Sequence, residues 1–331
     1  MKYRRFGRTG LEVSEIVFGG GAVGGIVIDP DDDTKRAAIR NALDGGINWI
    51  DTASQYGQGR SEEALGWLLP EIEPEYENTP YLSTKVRLDE DRLDDIRGQI
   101  EESLHASLRR LNRESVDLFQ LHNEIGPGFR ETGLSAAQVM EVADGLEAMR
   151  DEGLTKFIGL TALGDASTVS EALSSGRFDS AQVYYNLLNP SAARAMPPAW
   201  AGHDFSGTMA ACRAQDMAIM GIRIFAASIL ATDQRHGREA VLTRDTDVEI
   251  EMARSRAAFD VLGEDHGTRA QTALRFGLAN PDLSCVVVGM AELDHLSQAL
   301  GAVEMGALPA DAIASLEPVW ESGFGGVSGT P

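Results

Sequence analysis

Short runs rich in Val, Ile and Leu alternate along the chain with longer segments of helical period, and the alternation recurs eight times. The apolar runs predict strands ending near Phe18, Ile50, Thr84, Leu121, Leu160, Val183, Ile224 and Val288. Segments between them, including Thr34–Leu43, Glu62–Leu69, Asp91–Leu111, Ala136–Asp151 and Ala166–Ser174, predict helices. Such an order points to an α/β fold of repeated βα units around a parallel sheet, and 331 residues suit a single barrel of them. Residues 1–14 break the pattern. Tyr3–Phe6 and Leu11–Ser14 flank Gly7-Arg8-Thr9-Gly10, which predicts a β-hairpin closing the barrel floor. No linker divides the chain, so residues 1–331 are expected to form one domain. Loops 189–205 and 233–247 are expected on the substrate side, and the Gly- and Ser-rich tail 322–331 is expected to be mobile.

Gly19-Gly20-Gly21-Ala22-Val23-Gly24 satisfies the dinucleotide pattern G-x-G-x-x-G directly after a strand. That motif works where a helix N-terminus begins at the glycines, but here Ile26-Val27-Ile28-Asp29-Pro30 is β-prone and ends in proline. A Rossmann fold is therefore disfavoured, and the glycines are expected to leave room for a ligand. Asp51, Lys85 and His122 each sit just past an apolar run, with Tyr56 five residues into the loop after the first. Parallel barrels collect functional groups at the C-terminal strand ends, so this placement predicts one proton-relay site. Taken singly, each has a plain structural reading: a helix cap, a solvated charge, an aromatic plug or a core hydrogen-bonder.

With 51 acidic against 29 basic side chains, the surface repels polyanions, which argues against a nucleic-acid partner. Cys212 and Cys285 provide neither a disulfide framework nor metal-ligand spacing, so a reducing, cytoplasmic setting and no metal site are expected. The N-terminal residues include basic side chains without an apolar stretch behind them, and no run reaches membrane-spanning length, so neither a secretory signal nor a membrane association is expected.

The motifs Gly7-Arg8-Thr9-Gly10-Leu11-Glu12-Val13-Ser14, Asp51-Thr52-Ala53-Ser54-Gln55-Tyr56-Gly57 with Ser61-Glu62, Ser83-Thr84-Lys85, Asp117-Leu118-Phe119-Gln120-Leu121-His122 and Gln182-Val183-Tyr184-Tyr185-Asn186-Leu187-Leu188 cover nearly the whole chain. Together they resemble the aldo-keto reductases. The resemblance implies a (β/α)8 TIM barrel, a nicotinamide cofactor, NAD(H) or NADP(H), held without a Rossmann fold, and hydride exchange with a small carbonyl or alcohol. It casts Tyr56 as proton donor or base, Lys85 as the ammonium that favours its phenolate, Asp51 as the anchor of that ammonium, and His122 as a hydrogen-bonder of the substrate oxygen.

For the cofactor, the resemblance implies contacts from Gly19, Gly20, Asp51, Thr161, Gln182, Ile222, Arg223, Gly289 and Glu292. Gln182 matches the family glutamine that grips the carboxamide, Thr161-Ala162 stands where a Ser-Asn pair is usual, and Ile222 falls where an aromatic residue commonly stacks. Glu292 stands where cationic groups usually meet a 2′-phosphate, so NAD(H) is expected to serve at least as well as NADP(H). Substrate contacts are expected from Gly21, Val23, Tyr185, Trp200, His203 and Phe205, with Met290 nearby. The Ile222-Arg223 context resembles bacterial members that oxidise aldoses, which favours a hydroxylated aldehyde. Generic aldehyde or ketone reduction, and a nucleotide-binding redox-sensing subunit of another protein, are the alternatives.

Overall fold

Eight parallel strands close on themselves in sequence order: β3 (Ile16–Gly19), β4 (Trp49–Asp51), β5 (Tyr81–Val86), β6 (Val116–Leu121), β7 (Thr155–Ala162), β8 (Ser180–Tyr184), β9 (Ala218–Ile222) and β10 (Cys285–Gly289), with β10 pairing back to β3. This computed structural model describes residues 1–331 except 22, 128–130, 199, 201, 235–236, 238–245 and 327–331. The architecture is the (β/α)8 TIM barrel, and among the described residues no helix begins at the glycine run after β3. The chain turns there, and α1 (Asp32–Asp44) starts only after Asp31, whose side chain caps it by accepting from the Thr34 amide at 2.9 Å.

An outer ring of helices includes α1, α2 (Arg60–Ile72), α3 (Ile96–Leu111), α4 (Ala136–Asp151), α5 (Ala166–Ser174), α6 (Thr208–Ala214), α7 (Val248–Leu262), α8 (Arg269–Ala279) and α9 (Leu293–Met305). Each turns its apolar stripe to the sheet, as Leu65, Leu68 and Leu69 of α2 and Leu104 and Leu111 of α3 do. The segment expected to be one helix over Asp91–Leu111 divides in two. A 3₁₀ stretch at Glu90–Asp95 breaks at Arg92, and Asp95 then caps α3 by accepting from the Gly98 amide at 3.1 Å. The strand expected to end near Ile224 stops at Ile222, because Arg223 has a left-handed φ of 61° that cannot continue a strand.

The N-terminal hairpin pairs β1 (Tyr3–Arg5) with β2 (Glu12–Ser14). It presents Phe6 to the bottom of the barrel, in one apolar cluster with Val17, Trp49, Leu118, Ala218, Met220 and Cys285. The Phe6 and Trp49 rings lie 4.7 Å apart, so the hairpin is the barrel floor. Of the expected loop 189–205, residues 199 and 201 lie outside the described residues, and His203 hydrogen-bonds the Gly164 carbonyl at 2.8 Å. Of the expected loop 233–247, residues 235–236 and 238–245 lie outside the described residues, as do residues 327–331 of the tail, whose described part carries the buried Phe324. Among the described residues, no single helix is long and apolar enough to cross a membrane, and no group of His, Cys, Asp and Glu has metal-site geometry.

Phe6→Ala would open a cavity under the barrel and should cost about 3 kcal/mol or more of stability. Urea denaturation checks this: the midpoint should fall at nearly constant m, and an unchanged midpoint would show that the hairpin adds nothing to the floor.

Candidate active site

Residues two apart on a strand share a face, so Trp49 and Asp51 on β4, Ser83 and Lys85 on β5, and Gln182 and Tyr184 on β8 point the same way. Gln120 of β6 and His122 just past it do likewise. Parallel register places Asp51 beside Ser83, Lys85 beside Gln120, and Thr161 beside Gln182. Asp51 accepts hydrogen bonds from Gln120 and Gln182, on strands not adjacent to its own, which shows that this face is the barrel interior. Above the apolar floor the interior is therefore polar.

Asp51 and Lys85 form a salt bridge at 2.5 Å, with side-chain exposures of 2% and 0%. The Lys85 ammonium also donates to the Thr52 carbonyl at 2.8 Å and to Tyr56 Oη at 3.2 Å, and lies 4.8 Å from the Tyr56 ring centre. Burial opposes its charge, but the Asp51 carboxylate and the Tyr56 oxygen outweigh that and hold Lys85 above the ordinary lysine pKa. Asp51 Oδ1 takes three further donors: Ser83 Oγ at 2.7 Å, Gln182 Nε2 at 2.9 Å and Gln120 Nε2 at 3.3 Å. The His122 ring stands edge-on to Tyr56, centroids 5.8 Å apart. Burial, followed by the positive charges of Lys85, Arg87 and Arg223, pushes the His122 pKa down to about 3, so the imidazole is neutral throughout the physiological range. Its Nδ1 is buried with no hydrogen-bond partner. The structure thus brings all four expected residues into one cluster at the C-terminal strand ends.

The start of α2 braces the cluster. Ser61 Oγ donates to the Gly20 carbonyl at 3.0 Å and shares a hydrogen bond with Thr52 Oγ1 at 2.8 Å, which ties the glycine run to the residue whose carbonyl holds Lys85. Glu62, fully buried, accepts from Thr84 next to Lys85 at 2.5 Å and pairs with Arg110 of α3 at 2.6 Å.

The other expected residues divide. Thr161 is buried at the barrel mouth with its hydroxyl unpartnered, and Gln182 has its amide nitrogen committed to Asp51. Ile222 and Arg223 end β9, and burial lowers the Arg223 pKa despite the nearby Tyr184 and Tyr56. A Cβ on Gly19 would come within 2.9 Å of the Val288 carbonyl oxygen, and one on Gly20 within 2.8 Å of Ser61 Oγ, so these two glycines bring chain against chain. At Gly21 the nearest atoms are in the Tyr56 ring, 3.8 Å away, and Val23 is exposed beside it. Gly289 has open space before it, and Glu292 is exposed at the N-cap of α9 without capping it.

Three of the residues expected to contact substrate have partners within the protein. Tyr185 stacks on Phe276 of α8 at 5.1 Å, because alternation from the inward Gln182 sends it to the helix side. His203 hydrogen-bonds the Gly164 carbonyl through Nε2 at 2.8 Å, pinning loop 189–205 to the rim, and Phe205 is buried in a stack on Tyr184 at 5.0 Å. Trp200, half-buried, lies between residues outside the described set, and Met290 is buried with its backbone against Gly24.

Ser83, Gln120 and Tyr184 were not anticipated, although period-two counting back from Lys85 and His122, or forward from Gln182, finds them. Ala226, Ala227 and Ser228, consecutive non-glycine residues with φ of 45°, 55° and 81°, gave no such signal, since these residue types rarely adopt that backbone.

Comparison with known proteins agrees with this geometry. Residues 15–321 match the Aldo/keto reductase family. The chain is an aldo/keto reductase. Over 98% of both chains, this reductase is 28% identical to an L-galactose dehydrogenase of Arabidopsis thaliana. It is 31% identical to a D-threo-aldose 1-dehydrogenase of a Pseudomonas species, over 58% of this chain and 64% of that one. Its fold matches the holo form of the aldo-keto reductase AKR11C1 from Bacillus halodurans with a TM-score of 0.73, at 22% identity over 97% and 96% of the two chains.

The depressed His122 pKa makes stability depend on pH. The neutral ring's contribution is fully present above the unfolded value near 6.5 and is lost as pH falls through that value toward about 3. His122→Asn should remove about 2 kcal/mol of the stability difference between pH 7.5 and pH 5. Thermal melts at both pH values check it; parallel pH dependence in the two proteins would show that the ring is not held neutral.

Proposed function

We propose that this aldo/keto reductase exchanges hydride between C4 of a nicotinamide and the carbon of a carbonyl or alcohol, with an aldose or other hydroxylated aldehyde as the carbonyl partner. The observation that carries the reading is the 3.2 Å hydrogen bond from Lys85 Nζ to Tyr56 Oη, with Lys85 itself held by Asp51. When bound, the nicotinamide supplies or accepts the hydride. In reduction, Tyr56 gives its phenolic proton to the substrate oxygen; in oxidation it takes that proton back. Lys85 stabilises the phenol oxygen whenever it carries negative charge. His122, kept uncharged, hydrogen-bonds the substrate oxygen without competing for its proton.

The residues present fit a nicotinamide. Thr161 Oγ1 is an orphaned buried hydroxyl, and because the Gln182 amide nitrogen donates to Asp51, its oxygen is turned to accept from a carboxamide N–H. Gly19, Gly20, Ile222, Arg223 and Gly289 complete the strand-end surface on which it would rest. The dehydrogenases of L-galactose and D-threo-aldoses among the relatives support a sugar as substrate. Glu292 has no cap to satisfy, and its exposed carboxylate at the start of α9 disfavours a 2′-phosphate while accepting from a ribose hydroxyl. On that reading NAD(H) serves at least as well as NADP(H).

Tyr56→Phe should lower turnover by about 10²-fold or more on a panel of aldoses, aldehydes and ketones while leaving NADH affinity unchanged. Normal turnover by this variant would remove the assignment. Fluorescence titration should give NADH a Kd no weaker than that of NADPH, and Glu292→Lys should tighten NADPH about tenfold. Strong NADPH preference in the parent protein would overturn the role given to Glu292.

A further inference from the structure

Beneath Lys85 runs a chain of hydrogen bonds with a single polarity. The Trp49 indole N–H, which can only donate, points to Ser83 Oγ at 3.0 Å. Ser83 Oγ stands 2.7 Å from Asp51 Oδ1, and a carboxylate that faces an ammonium only accepts. Ser83 therefore directs its one proton at Asp51 while the indole holds the hydroxyl in place. All of these side chains are buried. The register that sets Asp51 beside Ser83 and Trp49 beside Tyr81 brings the three onto one inner face.

We propose that Trp49 and Ser83 are positioning residues: they lock a donor onto one oxygen of Asp51, leave the other for Lys85, and thereby set the pH at which the Lys85–Tyr56 pair exchanges its proton. This rests on the function proposed above. The plain alternative is that Trp49 is a floor hydrophobe, packed 4.7 Å from Phe6 and 5.4 Å from Tyr81, whose N–H merely finds the nearest acceptor. One observation weighs against it: Ser83, which the indole N–H holds, makes the shortest of the three contacts to Asp51 Oδ1, 2.7 Å against 2.9 and 3.3 Å from the Gln182 and Gln120 amides. Without the hydroxyl, more of the carboxylate's charge falls on Lys85, and the pull of the ammonium on the Tyr56 oxygen weakens. Titratable and charged groups around the pair include His122, Arg87, Arg223 and the Cys285 thiol, which burial pushes up.

The test is the pH profile of kcat/KM on the best substrate of the panel, for Ser83→Ala and for Trp49→Phe, which keeps an aromatic ring against Phe6 and Tyr81 but removes the N–H. Ser83→Ala should move the inflection of the Lys85–Tyr56 pair upward by about half a pH unit, and Trp49→Phe less, in the same direction. NADH affinity should stay within about twofold, and Ser83→Thr, which keeps the hydroxyl, should restore the parental profile. A lower melting temperature with activity reduced equally at every pH would mean a packing role and would overturn the proposal. Profiles that superimpose on the parent's would do the same. If Tyr56→Phe is inactive in the same assay, that failure belongs to the relay alone; if Tyr56→Phe is active, the proposed reaction itself fails.

Discussion

Two opposite charges sealed inside a barrel, Asp51 and Lys85, are the constraint around which the rest of this protein is organised. Removing a carboxylate and an ammonium from water costs several kcal/mol each, and their mutual attraction compensates only when the remaining lone pairs and protons are satisfied. Here they are. Asp51 receives Lys85, Ser83, Gln182 and Gln120, and Lys85 divides its donors among Asp51, the Thr52 carbonyl and Tyr56. A TIM barrel is usually filled by branched apolar side chains in layers. This one has such a layer only at its floor, where Phe6 of the hairpin closes over Trp49, and gives the layers above to polar groups.

That arrangement explains the care with which the surroundings are braced. The first turn of α2 grips the glycine run and Thr52 through Ser61, and the strand beside Lys85 through Glu62. Arg110 of α3 neutralises Glu62, so the brace extends into the helix layer. A net charge of −22 over the chain contrasts with the surroundings of His122, where burial first and then the charges of Lys85, Arg87 and Arg223 hold the ring neutral. An overall acidic surface and a cationic reaction centre are compatible because low dielectric and short distance let the local charges dominate.

Membership of the aldo/keto reductase family makes this protein a hydride-transfer oxidoreductase, and at the mouth of its barrel Lys85 donates a hydrogen bond to Tyr56. Rim residues tell a narrower story. His203, Phe205 and Tyr184 are engaged with one another or with the Gly164 carbonyl, which fixes these three side chains. Gly21 lies against the Tyr56 ring, and Val23 is exposed.

The order of apolar runs and helical segments was enough to determine the βα repeat, the hairpin, and the placement of Asp51, Lys85 and His122 at strand ends, because strand period and strand direction are local properties. The chain also disfavoured a Rossmann reading by itself, since the β-prone run Ile26–Ile28 ending at Pro30 does not suit the helix that motif requires, and the first helix after the glycines starts only at Asp32. Which of two adjacent tyrosines, Tyr184 or Tyr185, enters the barrel was decided only by tertiary structure, because a one-residue change of phase exchanges the two faces of a strand. The same holds for Ser83 beneath Asp51 and for the three left-handed residues at Ala226–Ser228. Their partners and backbone angles come from strands and loops distant in sequence, and no local preference encodes them.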